Sequence, residues 1–346
     1  MREIDLLRNL CTSHGPSGRE NWIHGEIKEA FKEYGEIKEG NLNNLYVHKK
    51  GKGNKSIMLM GHADEVFLNI TEICERGFLK FKPLGIDAKT LVSQEVVIHG
   101  EETIEGVIGI KPPHLMNEEE RVNAVEADKL LIDTGYSTEE LKKIVKIGDF
   151  VTLKRDFYEL LNNNVSCKAI DDRAAIVAMY TCAKELSNVE HDLDVYFVCS
   201  CQEEVGHRGA KMSSYDIHPD MAIAIDVTFD NGPMGIKDKE GTIGDGPCIC
   251  IGPNIHPKFR QRIMDTADKY KIPYSVEIEP GCTGTDAWDI QVTRGGIPTL
   301  LISIPEKYMH TSVEVANMED IKNTGKLIAK FIEEIKEEEV EGLLCF

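Results

Sequence analysis

The sequence lacks long hydrophobic runs and has no excess of positive charge. No segment approaches the roughly 18 consecutive apolar residues of a membrane span, and residues 1–14 show no basic start followed by an apolar run. The formal net charge of -19 argues against nucleic-acid binding, because phosphate contacts need a basic face. The sequence therefore predicts a cytoplasmic protein with no membrane span, no secretory signal and no nucleic-acid partner.

Cysteine pairs spaced as Cys-x-x-Cys are also absent, although the chain has 10 cysteines, so no structural zinc finger is predicted. Cys199 and Cys201 fall on one face of a strand pattern, as do Cys248 and Cys250. We expect these thiols to be buried and reduced, acting as small hydrophobic side chains.

The composition is that of a globular protein, with 41% hydrophobic and 29% charged residues, and 346 residues fit about two domains. Residues 1–66 and 166–346 alternate apolar strands with helices, which favours an α/β sheet covered by helices on both faces. Residues 67–165 instead carry short β-like runs between Gly, Pro and charged turns. We therefore predict a discontinuous main domain and a small β-rich insert.

Two local predictions concern the surface of the main domain. Residues 51–55 lie between two predicted strands and are expected to form a solvated hairpin turn, since they lack the spacing of a phosphate-binding loop. A long terminal helix is predicted over residues 317–336, and the acidic tail over residues 333–341 is interpreted as its solvated end.

Histidine and acidic residues follow several predicted strands at the C-terminal end, where α/β sheets place their sites. Each position alone has a simpler explanation, such as a surface histidine at His62 or a helix cap at Asp171 and Asp172. Together they favour a two-metal hydrolytic centre. The candidates are His62, Asp64, Asp171, Asp172, Glu203, Glu204, Asp226 and His310.

The spacing of these residues suggests roles for some of them. A neutral imidazole at His62 suits a metal, and Asp64 can accept its other N–H and fix the tautomer. A carboxylate at the start of the helix that follows Ala169 can bridge two cations. Glu203 and Glu204 are neighbours whose side chains point different ways, so one can ligate a metal while the other acts as general base.

Five short motifs occur in an order that resembles the tetrahedral (TET) aminopeptidases, the glutamyl-aminopeptidase-like metallopeptidases, some of which are called endoglucanases. The resemblance covers essentially the whole chain and includes the segment Gly106 to Leu115 in the insert. The motifs are Gly61-His62-Ala63-Asp64-Glu65, Ala169-Ile170-Asp171-Asp172-Arg173, Glu203-Glu204-Val205-Gly206, Ile225-Asp226-Val227-Thr228 and the segment Pro298 to His310.

The resemblance implies a mixed sheet sandwiched by helices, an inserted small β-barrel or PDZ-like domain used in assembly, and a twelve-subunit tetrahedron. It implies peptide substrates with a free N-terminus and two divalent ions, and the mixed donor set suits zinc or cobalt. The implied roles are one metal held by His62 and Asp226, the other by Glu204 and His310, a bridge from Asp171, a general base at Glu203 and an acceptor for the imidazole of His62 at Asp64.

The implied mechanism is hydrolysis by a metal-held water that gives its proton to Glu203, which then passes it to the leaving amine. The place of Asp171 in its motif favours it over Asp172 as the bridge. The sequence departs from the family at His207, where an apolar residue is common. His207 can tune the substrate pocket, lie on the surface, or support the residues of the centre from behind them.

Several rival functions remain. A related deacylase or carboxypeptidase usually carries its extra domain after the Glu-Glu motif, whereas here the β-rich stretch precedes Asp171. A glycosidase would use Glu203 with a second acid and leaves His62 unexplained. A non-catalytic, metal-stabilised assembly protein has no use for a free base. Residues 133–135 (Asp-Thr-Gly) resemble an aspartic-protease motif but are interpreted as a turn.

Overall fold

The computed structural model describes residues 1–118, 122, 124–232 and 241–345. Strands and helices alternate along the chain, and the strands are numbered here in chain order. The strands are β1 Glu36–Glu39, β2 Leu45–Lys49, β3 Ser56–His62, β4 Phe67–Ile73, β5 Phe78–Leu84, β6 Glu95–His99, β7 Thr103–Gly109, β8 Leu131–Asp133, β9 Phe150–Leu153, β10 Tyr158–Glu159, β11 Asn164–Cys167, β12 Asp194–Ser200, β13 Met221–Phe229, β14 Cys248–Ile251, β15 Ser275–Ile278, β16 Thr299–Lys307 and β17 Glu314–Asn317.

The α-helices lie mainly in the main domain. They are Glu3–Thr12, His24–Phe31, Ala88–Leu91, Thr138–Ile144, Ile170–Leu186, Arg208–Ile217, Pro257–Tyr270, Ala287–Ile290, Met318–Glu334 and Glu337–Leu344. Every helix in the described ranges is too short or too polar to cross a membrane.

An 11-stranded mixed sheet forms the centre of the main domain, in the order β1-β2-β12-β3-β13-β16-β17-β11-β10, with β14 pairing β15 and β16. Its central strands β12, β3, β13 and β16 are parallel to one another. Because these strands are buried on both faces, they are continuous apolar runs, as in Ile57 to Met60. Their C-terminal ends therefore meet at one edge of the sheet.

The helix Ile170–Leu186 lies directly on this sheet and is buried on nearly every side. Alanines along it allow close packing against the helix Met318–Glu334. Gly325 is needed at that crossing, because a Cβ there would lie 2.3 Å from the carbonyl oxygen of Ala178. This tight contact holds the middle of Ile170–Leu186, the helix whose first turn carries Asp171 and Asp172.

Strands β4, β5, β8, β7, β6 and β9 close into an antiparallel barrel with its own apolar core. Strand β7 alternates buried and exposed residues along its whole length, because one face lines the barrel and the other faces out. The predicted fold class, a mixed sheet flanked by helices with an inserted small β-barrel, is confirmed. The exact boundaries 66/67 and 165/166 stay a prediction.

Two local predictions are wrong. Residues 51–55 do not close a hairpin, since β2 and β3 both pair with β12, which lies between them. Strands that are neighbours in sequence are often neighbours in a sheet, but local sequence does not reveal that the distant strand β12 pairs between them. The Asp-Thr-Gly interpretation is confirmed, because the N–H of Gly135 donates to Asp133 in a turn.

The acidic tail is the second error. The long helix ends at Glu334, and the chain then forms a separate helix Glu337–Leu344. Val340 is buried there, and Glu337 accepts the N–H of Asn54 at 2.8 Å. The tail is therefore packed against the main domain rather than being a solvated helix end.

The four cysteines expected to be buried, Cys199, Cys201, Cys248 and Cys250, are buried.

Candidate active site

The candidate residues converge at the C-terminal edge of the parallel strands. A cavity of about 430 Å³ opens there. His62 ends β3, Asp226 lies in β13, and Glu203 and Glu204 follow β12. The cavity is lined by Asp171, Glu203, Glu204, Gly206, His207, Asp226, Val227, Thr228, Phe229, Glu277, Glu279, Thr283, Gly284, Thr285, Leu301, Ser303, Met309 and His310.

Asp171 lies between two imidazoles. Its Oδ1 is 3.0 Å from Nε2 of His62, and its Oδ2 is 3.1 Å from Nε2 of His310. The same Nε2 of His310 is 3.4 Å from Oε2 of Glu204. One carboxylate thus offers one oxygen to each half of the cluster, which is the geometry that a bridge between two cations needs.

Two overlapping groups of side chains have ligand atoms within 4.8 Å of one another. The first contains His62, Asp171 and Glu204, and the second contains His62, Asp172 and Asp226. Asp172 differs from the others because both of its oxygens accept backbone N–H groups, from His62 at 3.1 Å and Ala175 at 3.3 Å. Asp172 is therefore occupied in holding the strand end against the helix, whereas both oxygens of Asp171 face imidazoles.

Glycine at position 61 allows this approach of strand and helix. A Cβ there would lie 2.4 Å from Cβ of Ala175 and 2.9 Å from Oδ2 of Asp172. Any larger residue would push β3 away from the helix start. Gly61 therefore allows the strand end that carries His62 to lie close to the helix start.

Asp64 is fully buried and ties several parts of the site together. It accepts the hydroxyl of Ser17 at 2.6 Å and the backbone N–H groups of Glu203 and Glu204 at 3.1 and 3.2 Å. Nδ1 of His62 lies 3.5 Å from its Oδ1 and 3.1 Å from its carbonyl oxygen. Burial opposes its charge, but the bonds from His62 and Ser17 outweigh burial and lower its pKa.

The cluster carries more carboxylates than cationic partners. Burial, and then repulsion from neighbouring carboxylates, raises the pKa of Asp172, Glu204 and Asp226. Burial works to lower the pKa of His310, but its bond to Asp171 and the charge of Glu204 raise it to about 10. No described residue that lines the cavity is Lys or Arg. A surplus of buried acid with two imidazoles is a donor set that fits divalent cations.

The sequence analysis missed Glu314, which supports two of the candidates. Its Oε2 accepts the N–H groups of Ile170 and Asp171 at 2.6 and 3.2 Å, and its Oε1 accepts the N–H of His310 at 3.0 Å. Burial and the charge of Asp171 raise its pKa to about 8. A single glutamate four residues after a histidine carries no recognisable signal, so only the folded contacts identify it.

Asp286 was also missed. It accepts the hydroxyl of Ser200 at 2.5 Å, and burial followed by the charge of Glu203 raises its pKa to about 7.

His207, whose role the sequence left open, lies at the site: its Nε2 is 3.0 Å from Oε1 of Glu203 and its Nδ1 is 2.9 Å from Oδ2 of Asp289. It is not a surface histidine.

This fold and this edge-of-sheet cluster define a family. The model of the M42 glutamyl aminopeptidase family matches residues 43–327, and the chain belongs to that family. The resemblance inferred from the motifs is therefore confirmed. The protein is a hydrolase of peptide bonds that acts on N-terminal residues, and its family implies the use of divalent metal.

Relatives cover nearly the full length. The chain is 36% identical to a lysyl aminopeptidase of Pyrococcus furiosus, over 97% of this chain and 98% of the relative. The structure of an aminopeptidase from Desulfurococcus kamchatkensis matches with a TM-score of 0.91 at 36% identity, covering 99% and 98% of the two chains. The TET1 peptidase of Pyrococcus horikoshii, which assembles into a tetrahedron or a large octahedral shell, matches with a TM-score of 0.85 at 32% identity, covering 96% and 100%.

Divalent cations are expected to stabilise the folded protein through the cluster around Asp171. Metal-stripped protein given Zn²⁺ or Co²⁺ at 100 times the dissociation constant should gain about 2.7 kcal/mol of unfolding free energy. Differential scanning calorimetry should record this as a rise in melting temperature. Asp171→Asn should lose most of that rise, whereas Asp133→Asn, at the exposed turn of the barrel, should keep it. An undiminished rise in the Asp171 variant would contradict the assignment.

Proposed function

We propose that this chain is a dinuclear metal-dependent aminopeptidase. The observation that carries the proposal is the carboxylate of Asp171, with one oxygen near His62 and the other near His310. On this proposal His62 and Asp226 hold one divalent ion, Glu204 and His310 hold the other, and Asp171 bridges them. Zinc or cobalt suits a donor set of two imidazoles and three carboxylates better than magnesium does.

When bound, two such cations supply Lewis-acid polarisation of the scissile carbonyl and ionisation of water near neutral pH. The residues of the chain do the rest. Glu203 lies beside the cluster, with Oε2 3.9 Å from Nε2 of His62. We assign it the general base, which accepts the proton of the attacking water and delivers it to the departing amine. Asp64 holds the backbone of this base and the imidazole of His62 in one arrangement.

The acidic character of the cavity supports action at a free N-terminus. A protonated α-amine brings a positive charge to a site whose described lining has carboxylates and no Lys or Arg. A neutral α-amine offers a lone pair that can bind a metal ion. A blocked N-terminus offers neither. The cavity of about 430 Å³ also suits one terminal residue better than the middle of a folded chain.

Two further glutamates in the cavity lining support a preference for a cationic first residue. Glu277 and Glu279 line the cavity, and Glu277 is buried with its Oε1 accepting the hydroxyl of Thr228. We propose that a lysine or arginine side chain extends toward this pair. The relative from Pyrococcus furiosus is a lysyl aminopeptidase, which agrees with this proposal.

We further propose a homo-oligomer, with the tetrahedral dodecamer as its form. A related TET1 structure contains a dodecamer. The inserted barrel is assigned to assembly, and exposed apolar side chains such as Val107 and Ile147 lie in that segment, 51% and 71% exposed. Such side chains are typical of surfaces that another subunit covers.

The activity is tested with a panel of aminoacyl-4-nitroanilides and their N-acetylated counterparts, before and after chelation and with zinc or cobalt added back. We expect cleavage of the free-amine substrates alone, lost on chelation and restored by metal. Cleavage of the acetylated compounds would favour the deacylase instead. No cleavage by metal-loaded protein would favour a non-catalytic assembly protein.

The base is tested with Glu203→Gln. The amide keeps the size of the side chain but cannot take a proton, so kcat should fall at least about 100-fold. Metal content, measured by plasma mass spectrometry, should stay at the wild-type level because Glu203 is not assigned as a ligand. Turnover near the wild-type value would rule Glu203 out as the base.

Side-chain preference is tested with Glu279→Gln and paired substrates. Removing one carboxylate should lower kcat/KM for the lysyl substrate by about 10-fold, the effect of one charge-assisted hydrogen bond. The leucyl substrate is the internal control, and its kcat/KM should change little. An equal loss for both substrates, or no loss for either, would refute the cationic pocket.

A further inference from the structure

His207 lies in a turn whose backbone is held independently of its side chain. Its N–H donates to the carbonyl oxygen of Glu203 at 3.1 Å, and the next helix begins at Arg208. Gly209 donates to the carbonyl oxygen of Cys201 at 2.9 Å. Because these bonds use only main-chain atoms, the imidazole can be replaced while the turn keeps its anchors.

Both ring nitrogens of His207 contact carboxylates. Nε2 is 3.0 Å from Oε1 of Glu203, and Nδ1 is 2.9 Å from Oδ2 of Asp289. The side chain is only 18% exposed. Lys211 lies 3.4 Å from the same oxygen of Asp289, and Asp286 adds further negative charge. The bond to Glu203, opposed by burial and helped by these acids, raises the pKa of His207 to about 9.

The contact divides the two oxygens of Glu203 between two tasks. Oε1 accepts the N–H of His207, while Oε2 faces His62 and the cluster. Without a donor at Oε1 the carboxylate can rotate about its terminal bond and swing out of line, since that torsion is soft. A base acts only when its oxygen lies within hydrogen-bond reach of the proton it takes.

We propose that His207 is a positioning residue, oriented by Asp289, that holds the carboxylate of Glu203 in its reactive orientation. This rests on the proposed role of Glu203 as the base. Asp289 fixes the plane of the imidazole, and the imidazole fixes one oxygen of Glu203. On the proposed assignment the attacking water gives its proton to the other oxygen of Glu203, so His207 acts on the rate of the chemical step and not on substrate binding.

His207 also lines the cavity, which gives a rival interpretation as a substrate contact. The two are separated by kinetics. A positioning residue changes kcat and leaves KM nearly unchanged, whereas a residue that binds the substrate throughout the reaction changes KM. Misplacing a reacting group by about 1 Å can cost about 100-fold in rate.

Three variants test the proposal in the metal-loaded protein. His207→Leu removes both contacts, and kcat should fall about 10- to 100-fold. His207→Gln offers an amide N–H near the position of Nε2, so it should recover most of the lost kcat. His218→Leu is the matched control, because His218 is exposed, has left-handed backbone geometry as His207 does, and lies at the other end of the same helix. Its kcat should stay at the wild-type value.

The same leucine substitution in a Glu203→Asp background tests whether His207 acts through its contact with Glu203. The shorter aspartate cannot reach the imidazole, so His207→Leu should add less than about 2-fold to its loss. Metal content and melting temperature are measured for every variant and should match those of the His218→Leu control.

Four outcomes would overturn the proposal: wild-type kcat in His207→Leu, a loss confined to KM, a glutamine variant as slow as the leucine variant, or an equal loss in both backgrounds. Inactive wild-type protein would refute the proposed function instead. Full activity in Glu203→Asp together with Glu203→Gln would refute the base.

Discussion

The site depends on gathering carboxylates in one buried place against their mutual repulsion. Desolvation disfavours each charge, and neighbouring acids disfavour it further, which is why the pKa of Asp172, Glu204 and Asp226 is raised. Backbone donors offset part of this cost: Glu314 accepts three N–H groups and Asp64 accepts two. These bonds fix where the acids lie but do not neutralise them, so the cluster keeps uncompensated negative charge that a cation can balance.

The neighbouring acid Glu65 differs from the cluster because its negative charge is balanced by residues of the chain. Glu65 is as buried as the site residues, yet Lys168 and Arg173 lie 2.6 and 2.9 Å from its two oxygens. Burial opposes its charge, but these two cations lower its pKa to about 2. Gly15 donates to the same carboxylate, which ties the N-terminal segment to the site. The chain thus supplies a lysine and an arginine to this one buried acid. The described lining of the cavity has neither Lys nor Arg, and its imidazoles are fewer than its carboxylates, as expected where an external cation completes the charge balance.

The sequence predicted the parts of this arrangement that follow from local rules. His62 and Asp226 each come after a run of apolar residues in a strand, and parallel strands bring their C-terminal ends to one edge, so their convergence was predictable. Glu314, Asp286 and Asp289 were not, because their importance lies in contacts made across the fold with residues far away in sequence. The same limit explains the wrong hairpin at residues 51–55: strand order depends on which distant segment enters the sheet, and β12 entered between β2 and β3.

Glu203 and Glu204 are adjacent, and Asp64 binds the backbone N–H groups of both, so the orientation of each side chain must be fixed by other contacts. Asp64 accepts the N–H groups of both Glu203 and Glu204, so it cannot distinguish them. The side chain of Glu204 ends at His310, within a cluster that cations would hold rigidly. A general base is not a metal ligand, so a metal ion does not hold its carboxylate in place. A separate hydrogen-bond donor must do so. The left-handed turn after Gly206 brings a side chain back over Glu203, and at that position this chain has an imidazole backed by Asp289. On the proposed assignment, the imidazole at position 207 therefore adds a restraint at Glu203, a carboxylate that metal coordination would not hold.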